Sequence, residues 1–293
     1  MNYSVKHETQ YRYGESVSLC HNVLRLRPRD DEHQTCRQHT LTVSPVPVSE
    51  RTRIDFFGNQ VTSISLQEPH DKLTITATSE VHVIPRPQVN LAVSIAWDEA
   101  REIIAKLPDP GAIAARQFTF DSPHVVRSDA LAEFARSVFT PRRPLLECVM
   151  ELTLKIYDEF TFIAGETDVG TSVAEVLQTR RGVCQDFAHL QIGCLRSLGL
   201  AAQYVSGYIA TDPPPGRARL LGCDASHAWL SVYAPGLGWF DFDPTNGIMP
   251  TSQHITLACA RDYEDVGPVR GIVLGGKRHS LGVAVDVVPL EVH

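Results

Sequence analysis

The spacing of apolar residues changes once along the chain, and this change limits the folds that the chain can adopt. Between Tyr3 and Ile84, short runs alternate apolar and polar residues with a period of two, and glycine or proline turns separate them. This pattern is typical of β-strands. From Asp98 onward the apolar residues recur with a helical period. The sequence therefore predicts an α+β protein with an all-β N-terminal domain, a sandwich or a barrel.

A proline-rich step, Pro85-Arg86-Pro87, marks the predicted boundary between two domains. At 293 residues and 43% hydrophobic content, the chain is long enough to bury two cores. We place the N-terminal β domain at residues 1–87 and the second domain at residues 88–293. The last thirty residues, rich in valine and glycine, predict strands that close this second domain.

Net charge and hydropathy exclude several classes of partner. The net charge is −7 and the lysines and arginines are scattered, so we expect no nucleic-acid partner. No run of apolar residues approaches the length of a membrane span, and the N-terminal stretch MNYSVKHETQYRY is too polar for a signal peptide. We expect a soluble, cytoplasmic protein without a membrane partner.

The cysteines predict reduced thiols. There are seven, an odd number, and no two have C-x-x-C spacing, which argues against a disulfide framework or a zinc cage. Free cysteine is usually a packed apolar residue. Six of the seven can therefore be ordinary while one is reactive.

Cys184 is the candidate for the reactive thiol because it stands where a helix begins. One apolar stripe with helical spacing follows it, and Gly199 supplies a natural end. Unpaired N–H groups at a helix N-terminus favour a thiolate and could hold an oxyanion. Gly182 allows close backbone approach there. On this evidence alone, a nucleophile and a simple helix start are equally good interpretations. The stripe consists of Phe187, Leu190, Cys194, Leu195 and Leu198.

A predicted hairpin downstream offers a base and a carboxylate. The alternation between Ser226 and Phe242 reverses near Pro235-Gly236, and a turn centred on residue 235 pairs His227 with Asp243. Paired residues on one face hold their Cβ atoms about 4.5 to 5.5 Å apart. Asp241 shares that face and is the rival carboxylate, although it would oppose Trp229 instead. The inference depends on register, because a slip of one residue would place His227 and Asp243 on opposite faces of the hairpin.

Other interpretations of these residues remain open at this point. Cys184, His227 and Asp243 are also metal-ligand types and could hold zinc with an open position, although their order favours an acyl-transfer triad. The remaining candidates are interpreted as structural. They are Asp186, a first-turn carboxylate that the helix dipole favours; His189, which points away from Cys184; and Trp229 and Trp239, which form cleft walls or core.

Three segments carry a resemblance to a known family. GVCQDFAHL, ASHAWL and GWFDFDPTNG, in that order, resemble the core motifs of the transglutaminase-like superfamily, whose papain-like fold carries a Cys-His-Asp triad. The segments HETQYRY, LRPR, DFFGNQV and HITLACARDYEDVGPVRG are similar to the bacterial group that has its own β-rich N-terminal domain. The resemblance implies that Cys184 is the nucleophile, His227 the base and Asp243 the group that orients the base.

Two departures from the family pattern are visible. Ala201-Ala202-Gln203 stands where Pro-Ala-Arg is common, which suggests an altered edge of the substrate cleft. Phe162 stands where tyrosine is frequent, which removes a hydroxyl donor. Neither departure touches the triad.

The expected core is papain-like, with a helix carrying Cys184 against an antiparallel sheet carrying His227 and Asp243. The expected reaction is acyl transfer from a peptide or protein amide through a thioester, without cofactor or metal. Hydrolysis by water, as in a cysteine peptidase or amidase, is favoured over transfer to a lysine amine, as in a transglutaminase. A third interpretation is a non-catalytic binding or assembly module, which the intact triad argues against.

Overall fold

The computed structural model describes residues 1–107, 109–165, 170–211 and 226–290, and it confirms the α+β architecture. The predicted N-terminal β region is present. It contains β1 Asn2–Leu24, β2 Gln34–Ser44, β3 Ser49–Ile54, β4 Gln60–Leu66 and β5 His70–Val83.

Strand β1 organises this region because its two halves have different neighbours. Its first half pairs with β5 and its second half with β4, so that the order is β2-β5-β1-β4-β3. The pairing with β5 shifts register between Arg12 and Val17. Such an irregularity bends a strand. Apolar side chains of β1, β4 and β5 share one buried cluster. The cluster includes Val17, Cys20, Ile64, Leu73 and Ile75.

Short helices follow, as the change of period predicts. Several begin at side-chain caps: Asp109, Ser128 and Ser172 each accept a hydrogen bond from a backbone N–H in the first turn. The elements are α1 Trp97–Lys106, α2 Pro110–Arg116, α3 Asp129–Arg136, α4 Leu145–Glu159, β6 Thr161–Phe162, α5 Val173–Thr179 and β7 Arg181–Gly182. The last of these leads directly into the predicted cysteine helix.

Helix α6, Cys184–Ser197, is the central element of the core. The predicted apolar stripe is buried, and Gly199 follows the helix with φ of +81°. Every residue from 186 to 196 is buried, however, so the helix is covered on all sides rather than on one face. Two of its polar residues donate to buried acceptors: Gln191 Nε2 donates to Val149 O, and Arg196 donates to the carbonyl oxygens of Ala202 and Arg261.

A four-stranded antiparallel sheet packs against α6. Its strands are β8 Ala202–Ile209, β9 Ser226–Ala234, β10 Gly238–Phe242 and β11 His254–Ala260, in the order β10-β9-β8-β11. Leu190 and Cys194 of α6 share a core cluster with Leu230 and Val232 of β9. The helix and the strand that carry the predicted nucleophile and base are therefore fixed against each other.

The last strands differ from their predicted place. After the short helix α7, Tyr263–Val266, strands β12 Val269–Gly275 and β13 His279–Leu290 pair antiparallel with β1 instead of closing the second domain. The physical reason is the length of β1, which presents a second edge of unpaired backbone groups that β12 and β13 satisfy. The chain thus returns to the N-terminal sheet at its end.

The N-terminal sheet also packs on the four-stranded sheet. Val5, Val285 and Val287 from β1 and β13 share a buried cluster with Tyr208 and Ile255 of β8 and β11. This contact sets the N-terminal sheet beside the strands that carry the site. None of the helices in the described ranges is both long and apolar enough to cross a lipid bilayer.

Candidate active site

Cys184 is the first residue of α6, as predicted, and it is half-buried. The preceding backbone is fixed by Asp186, whose Oδ2 accepts a hydrogen bond from the N–H of Val183 at 2.8 Å. The predicted role of Asp186 as a first-turn carboxylate therefore extends to capping. Gly182 is required by this arrangement, since a Cβ there would lie 2.8 Å from Asp186. The RRGVCQD segment thus holds the thiol in one place.

The other five described cysteines lie in different environments. All six described cysteines are free thiols, which agrees with the predicted reduced state, and Cys223 lies outside the described residues. Burial raises the pKa of Cys148 to about 11 and that of Cys259 to about 12. Burial also raises the pKa of Cys194 well above its ordinary value. These thiols are therefore protonated at neutral pH.

The hairpin of β9 and β10 differs from the predicted register by two residues. Ala234 pairs with Gly238 and Ser231 with Asp241, which centres the turn on Gly236, where φ is +80°. The predicted turn centre at residue 235 is therefore wrong. A shift of two residues preserves the face of every side chain. His227 and Asp243 consequently remain on the same face, in a diagonal rather than a direct relationship.

The diagonal pair is hydrogen-bonded. His227 Nε2 donates to Asp243 Oδ2 at 2.7 Å, with 7% of the His227 side chain exposed and none of Asp243. Asp243 lies just past the end of β10 and forms an isolated bridge with Ile248, which fixes its backbone. The prediction that this carboxylate orients the imidazole agrees with the contact.

The Asp243 carboxylate accepts five hydrogen bonds from described residues. Its Oδ1 accepts from the backbone N–H groups of Thr245 and Asn246, and its Oδ2 also accepts from Asn246 Nδ2 at 2.7 Å and from His254 Nε2 at 3.0 Å. Burial would raise the pKa of Asp243, but the bonds from His227 and His254 outweigh it and hold the pKa well below its ordinary value. The carboxylate is therefore ionised and fixed.

His227 connects Asp243 to the thiol. Burial lowers its pKa, but hydrogen bonds to Asp243 and to Cys184 oppose this effect and raise the pKa to about 10. Because Nε2 is bonded to Asp243, the other ring nitrogen, Nδ1, is the one left for the sulfur. At neutral pH the ring is therefore an imidazolium, which stabilises a thiolate beside it.

Asp241, the rival carboxylate, belongs to a different contact. Its Oδ2 accepts from Trp229 Nε1 at 3.0 Å and pairs with Arg86 at 2.9 Å. Trp229 is fully buried, and Trp239 packs edge-on against Phe118 with ring centroids 5.4 Å apart. Both tryptophans therefore serve packing, as predicted.

Two family descriptions match the chain. "Bacterial transglutaminase-like N-terminal region" matches residues 3–82, and "Transglutaminase-like superfamily" matches residues 132–244, the segment that contains Cys184, His227 and Asp243. A Mycobacterium tuberculosis H37Rv protein, Rv2569c, is 44% identical over 297 aligned positions, which cover 99% of this chain and 93% of the relative. The chain belongs to the transglutaminase-like superfamily.

A second relative and one solved structure also align with nearly the whole chain. The Mycobacterium leprae protein ML0607 is 33% identical over 292 positions, covering 98% of each chain. A crystal structure from Cytophaga hutchinsonii, described as a candidate cysteine protease, superposes with a TM-score of 0.73 at 22% identity and covers 100% of this chain and 92% of its own. This last likeness shows that the two proteins share a fold.

His254 is the residue of the site that sequence reasoning missed. It begins β11, and its Nδ1 is buried with no hydrogen-bond partner among the described residues. The available signal was its position at the start of HITLACARD, a segment that already resembles the superfamily. His227, Asp243 and His254 are the one cluster of possible metal ligands in the described part of the chain. Their hydrogen bonds account for this closeness, and Cys184 is not in the cluster.

His189 is structural, as predicted. Its Nε2 accepts from the N–H of Tyr263 at 3.2 Å, and its ring stacks on His124 with centroids 5.4 Å apart. Burial, with smaller contributions from His124 and Arg196, lowers the pKa of His189 to about 3. The ring is therefore neutral and acts as an acceptor.

The two departures from the superfamily pattern lie in different settings. Phe162 pairs with Gly182 in the parallel contact of β6 with β7 and is 51% exposed beside the cysteine segment. Ala201 and Ala202 are fully buried, and the cleft lining on β8 begins only at Tyr204. The expected change at the cleft edge is therefore not found at Ala201 and Ala202.

The thiol and the imidazole open into a cleft of about 250 Å³. The floor is formed by the start of α6 and by β8 and β9, and the opposite wall by the N-terminal sheet. The volume is smaller than the ~300–1,000 Å³ typical of sites for drug-sized ligands.

Proposed function

We propose that this protein is a thiol-dependent acyl-transfer enzyme that hydrolyses amide bonds of peptides or proteins. The observation that carries the proposal is the hydrogen bond between Asp243 and His227, whose ring lines one cleft together with Cys184. A nucleophile, a base and a group that orients the base are the three parts that such chemistry requires. Membership of the superfamily supports the same assignment.

In the first half-reaction, the Cys184 thiolate attacks the carbonyl carbon of the amide and the carbonyl oxygen becomes an oxyanion. The N–H of Cys184 is among the first of α6, which have no partner within the helix, and it would donate to that oxygen. His227 gives its Nδ1 proton to the leaving amine as the C–N bond breaks. A thioester and a neutral imidazole remain.

In the second half-reaction, the neutral His227 takes a proton from a water molecule, which attacks the thioester. The C–S bond breaks, a carboxylic acid leaves, and the thiolate–imidazolium pair is restored. Asp243 holds the ring orientation through both halves and keeps its own charge, since its five hydrogen bonds favour the ionised form. A primary amine in place of water would give a new amide, which is the transglutaminase outcome.

The test is mass spectrometry of a peptide library incubated with the full chain, with and without a primary amine such as cadaverine. Cleaved peptides whose formation requires Cys184 support hydrolysis. Peptide–amine conjugates alone would assign amine transfer instead, and unchanged peptides in both arms would overturn the proposal. Cys184→Ala is the inactive variant, and Cys194→Ala, a buried thiol in the same helix, is the matched control.

A further inference from the structure

One wall of the cleft is formed by the N-terminal sheet. Thr9 and Tyr11 of β1 pair directly with Val283 and Leu281 of β13, and all four line the cleft that contains Cys184 and His227. We call Thr9, Tyr11, Leu281 and Val283 the shelf. The shelf combines the beginning and the end of the chain, which explains why neither segment alone predicts it.

The shelf continues a packed apolar face beyond the edge of its packing partner. Residues 281, 283, 285 and 287 point to one side of β13 because side chains alternate along a strand. Val285 and Val287 are buried against β8 and β11. Leu281 and Val283, farther along the same face, are 55% and 52% exposed because the four-stranded sheet no longer covers them. Their exposed surface faces the thiol cleft.

The described cleft lining is almost without charge. It includes no aspartate, glutamate, lysine or arginine in the described ranges. Burial lowers the pKa of His7 to about 4, and its ring is held between Tyr208 Oη at 2.9 Å and Thr9 Oγ1 at 2.8 Å, so it is neutral. Burial also raises the pKa values of Tyr11, Tyr204 and Tyr263. Outside the proposed pair of Cys184 and His227, the described lining therefore carries no charge at neutral pH.

We propose that the shelf binds the substrate residue whose carbonyl is attacked and selects an uncharged apolar or aromatic side chain there. This inference rests on the proposed function and names its substrate class. An apolar side chain gains by covering the exposed Leu281 and Val283, whereas a charged one loses hydration without finding a partner on the shelf. Tyr11 adds an aromatic face to the same surface.

The occupant is a polypeptide substrate because the shelf and the thiol share one cleft. A ligand that lies on Leu281 and Val283 is necessarily placed next to Cys184, since all three line the same cleft of about 250 Å³. A second copy of the chain seated on the shelf would block the thiol. The surface therefore serves substrate selection.

The test measures inactivation of Cys184 by peptidyl chloromethyl ketones that end in Phe, Leu, Glu or Lys. Every rate is divided by the rate of the same variant with iodoacetamide, which has no side chain that could bind to the shelf. We expect the Phe and Leu reagents to react at least about tenfold faster than the Glu and Lys reagents, a size typical of discrimination by an apolar pocket. Equal rates, or faster reaction with a charged reagent, would overturn the inference.

A charged residue introduced on the shelf tests whether the shelf is the surface that selects the substrate side chain. Val283→Asp and Leu281→Asp should each lower the ratio of Phe to Lys reactivity at least about tenfold. Ile272→Asp is the matched control, because Ile272 is an apolar residue of β12, 73% exposed, that does not line the cleft. An equal effect of the control and the shelf variants would contradict the assignment. The two shelf variants are independent, so one that does not fold leaves the other to decide.

Failure of the proposed function has a separate signature. Iodoacetamide labelling of Cys184 that does not depend on His227, or a peptide library left unchanged, would contradict the triad. Labelling that does depend on His227, together with chloromethyl ketone rates that ignore the peptide residue, would leave the triad intact and remove only the shelf.

Discussion

His227 Nε2 and Asp243 Oδ2 are 2.7 Å apart, although the two residues lie diagonally across the hairpin rather than directly opposite each other. The contact forms because Asp243 has left the β10 ladder and is held by its bridge to Ile248 and by two backbone N–H groups. The carboxylate is thereby aimed back at the ring. Its charge is the main reason that the imidazolium persists in a buried site.

The first prediction concerns the pH range over which Cys184 is reactive. The pKa of His227 is raised to about 10, so the imidazolium is present below that pH and lost above it. Cys184 alkylation by a peptidyl reagent should therefore decline on the alkaline side near pH 10. Asp243→Asn should move this decline at least one unit lower and slow the reaction about 10²- to 10⁴-fold at pH 7.

Asp241→Asn is the control for that variant, since Asp241 shares the face of β10 but bonds Trp229 and Arg86. It should leave the alkaline limb where it is in the natural protein. An alkaline limb that moves equally in both variants would show that Asp243 has no special relationship with His227.

The second prediction concerns His254. His254→Leu removes one donor from Asp243 Oδ2, whereas His254→Gln can still present an N–H near the position of Nε2. A hydrogen bond to a charged group contributes about 1.5–3 kcal/mol. We expect Cys184 alkylation to slow roughly tenfold or more in the leucine variant and to recover largely in the glutamine variant. Equal losses in both would indicate that His254 only fills space.

The third prediction concerns Gly182. A Cβ at this position would lie 2.8 Å from Cβ and Oδ2 of Asp186, which caps Val183. Gly182→Ala should therefore displace the start of α6, lower the thermal midpoint and slow Cys184 alkylation. Gly282→Ala is the control, because a Cβ there meets nothing within 4 Å. Thermal unfolding and the alkylation rate measure the two effects, and similar behaviour of both variants would refute the explanation.

The fourth prediction concerns acid stability. The folded-state pKa of His189 is lowered to about 3 from 6.5, so the unfolded chain binds the extra proton and stability falls as pH drops below 6.5. Between pH 6.5 and 5 this residue alone should cost roughly 2 kcal/mol. His189→Gln, which keeps an acceptor for Tyr263, should flatten this dependence in urea unfolding measured across that range. An unchanged slope would contradict the assignment.

Local pattern was enough to predict the elements that carry the site. The stripe after Cys184 predicted α6, and the alternation around Pro235-Gly236 predicted the hairpin. The exact register was not predictable, because the sequence does not reveal that the loop is centred on Gly236 rather than on residue 235. The prediction that Asp243 lies on the same face as His227 is still correct, because a register error of two residues does not change the face of a side chain.

Contacts between distant parts of the chain were beyond such patterns. Nothing in the valine- and glycine-rich last segment specifies pairing with β1, which is a property of the free edge that β1 presents. His254 likewise reaches Asp243 through the pairing of β11 with β8 and not through its spacing from His227. The helix α6 was expected to be covered on one face, but the surrounding helices and the four-stranded sheet bury every residue from 186 to 196.

The central claim is that Cys184 and His227 form a reactive pair. Intact-protein and peptide mass spectrometry after iodoacetamide treatment at pH 6 tests it most directly. Two proteins are compared, one with His227 and one with His227→Ala. Both carry Cys223→Ser, which removes the one thiol outside the described residues. Burial raises the pKa values of Cys148 and Cys259 to about 11 and 12, so those thiols should stay unmodified. Rapid labelling confined to Cys184 and abolished by His227→Ala is the predicted result. Slow labelling spread over all the cysteines, or labelling of Cys184 that is indifferent to His227, would contradict the account.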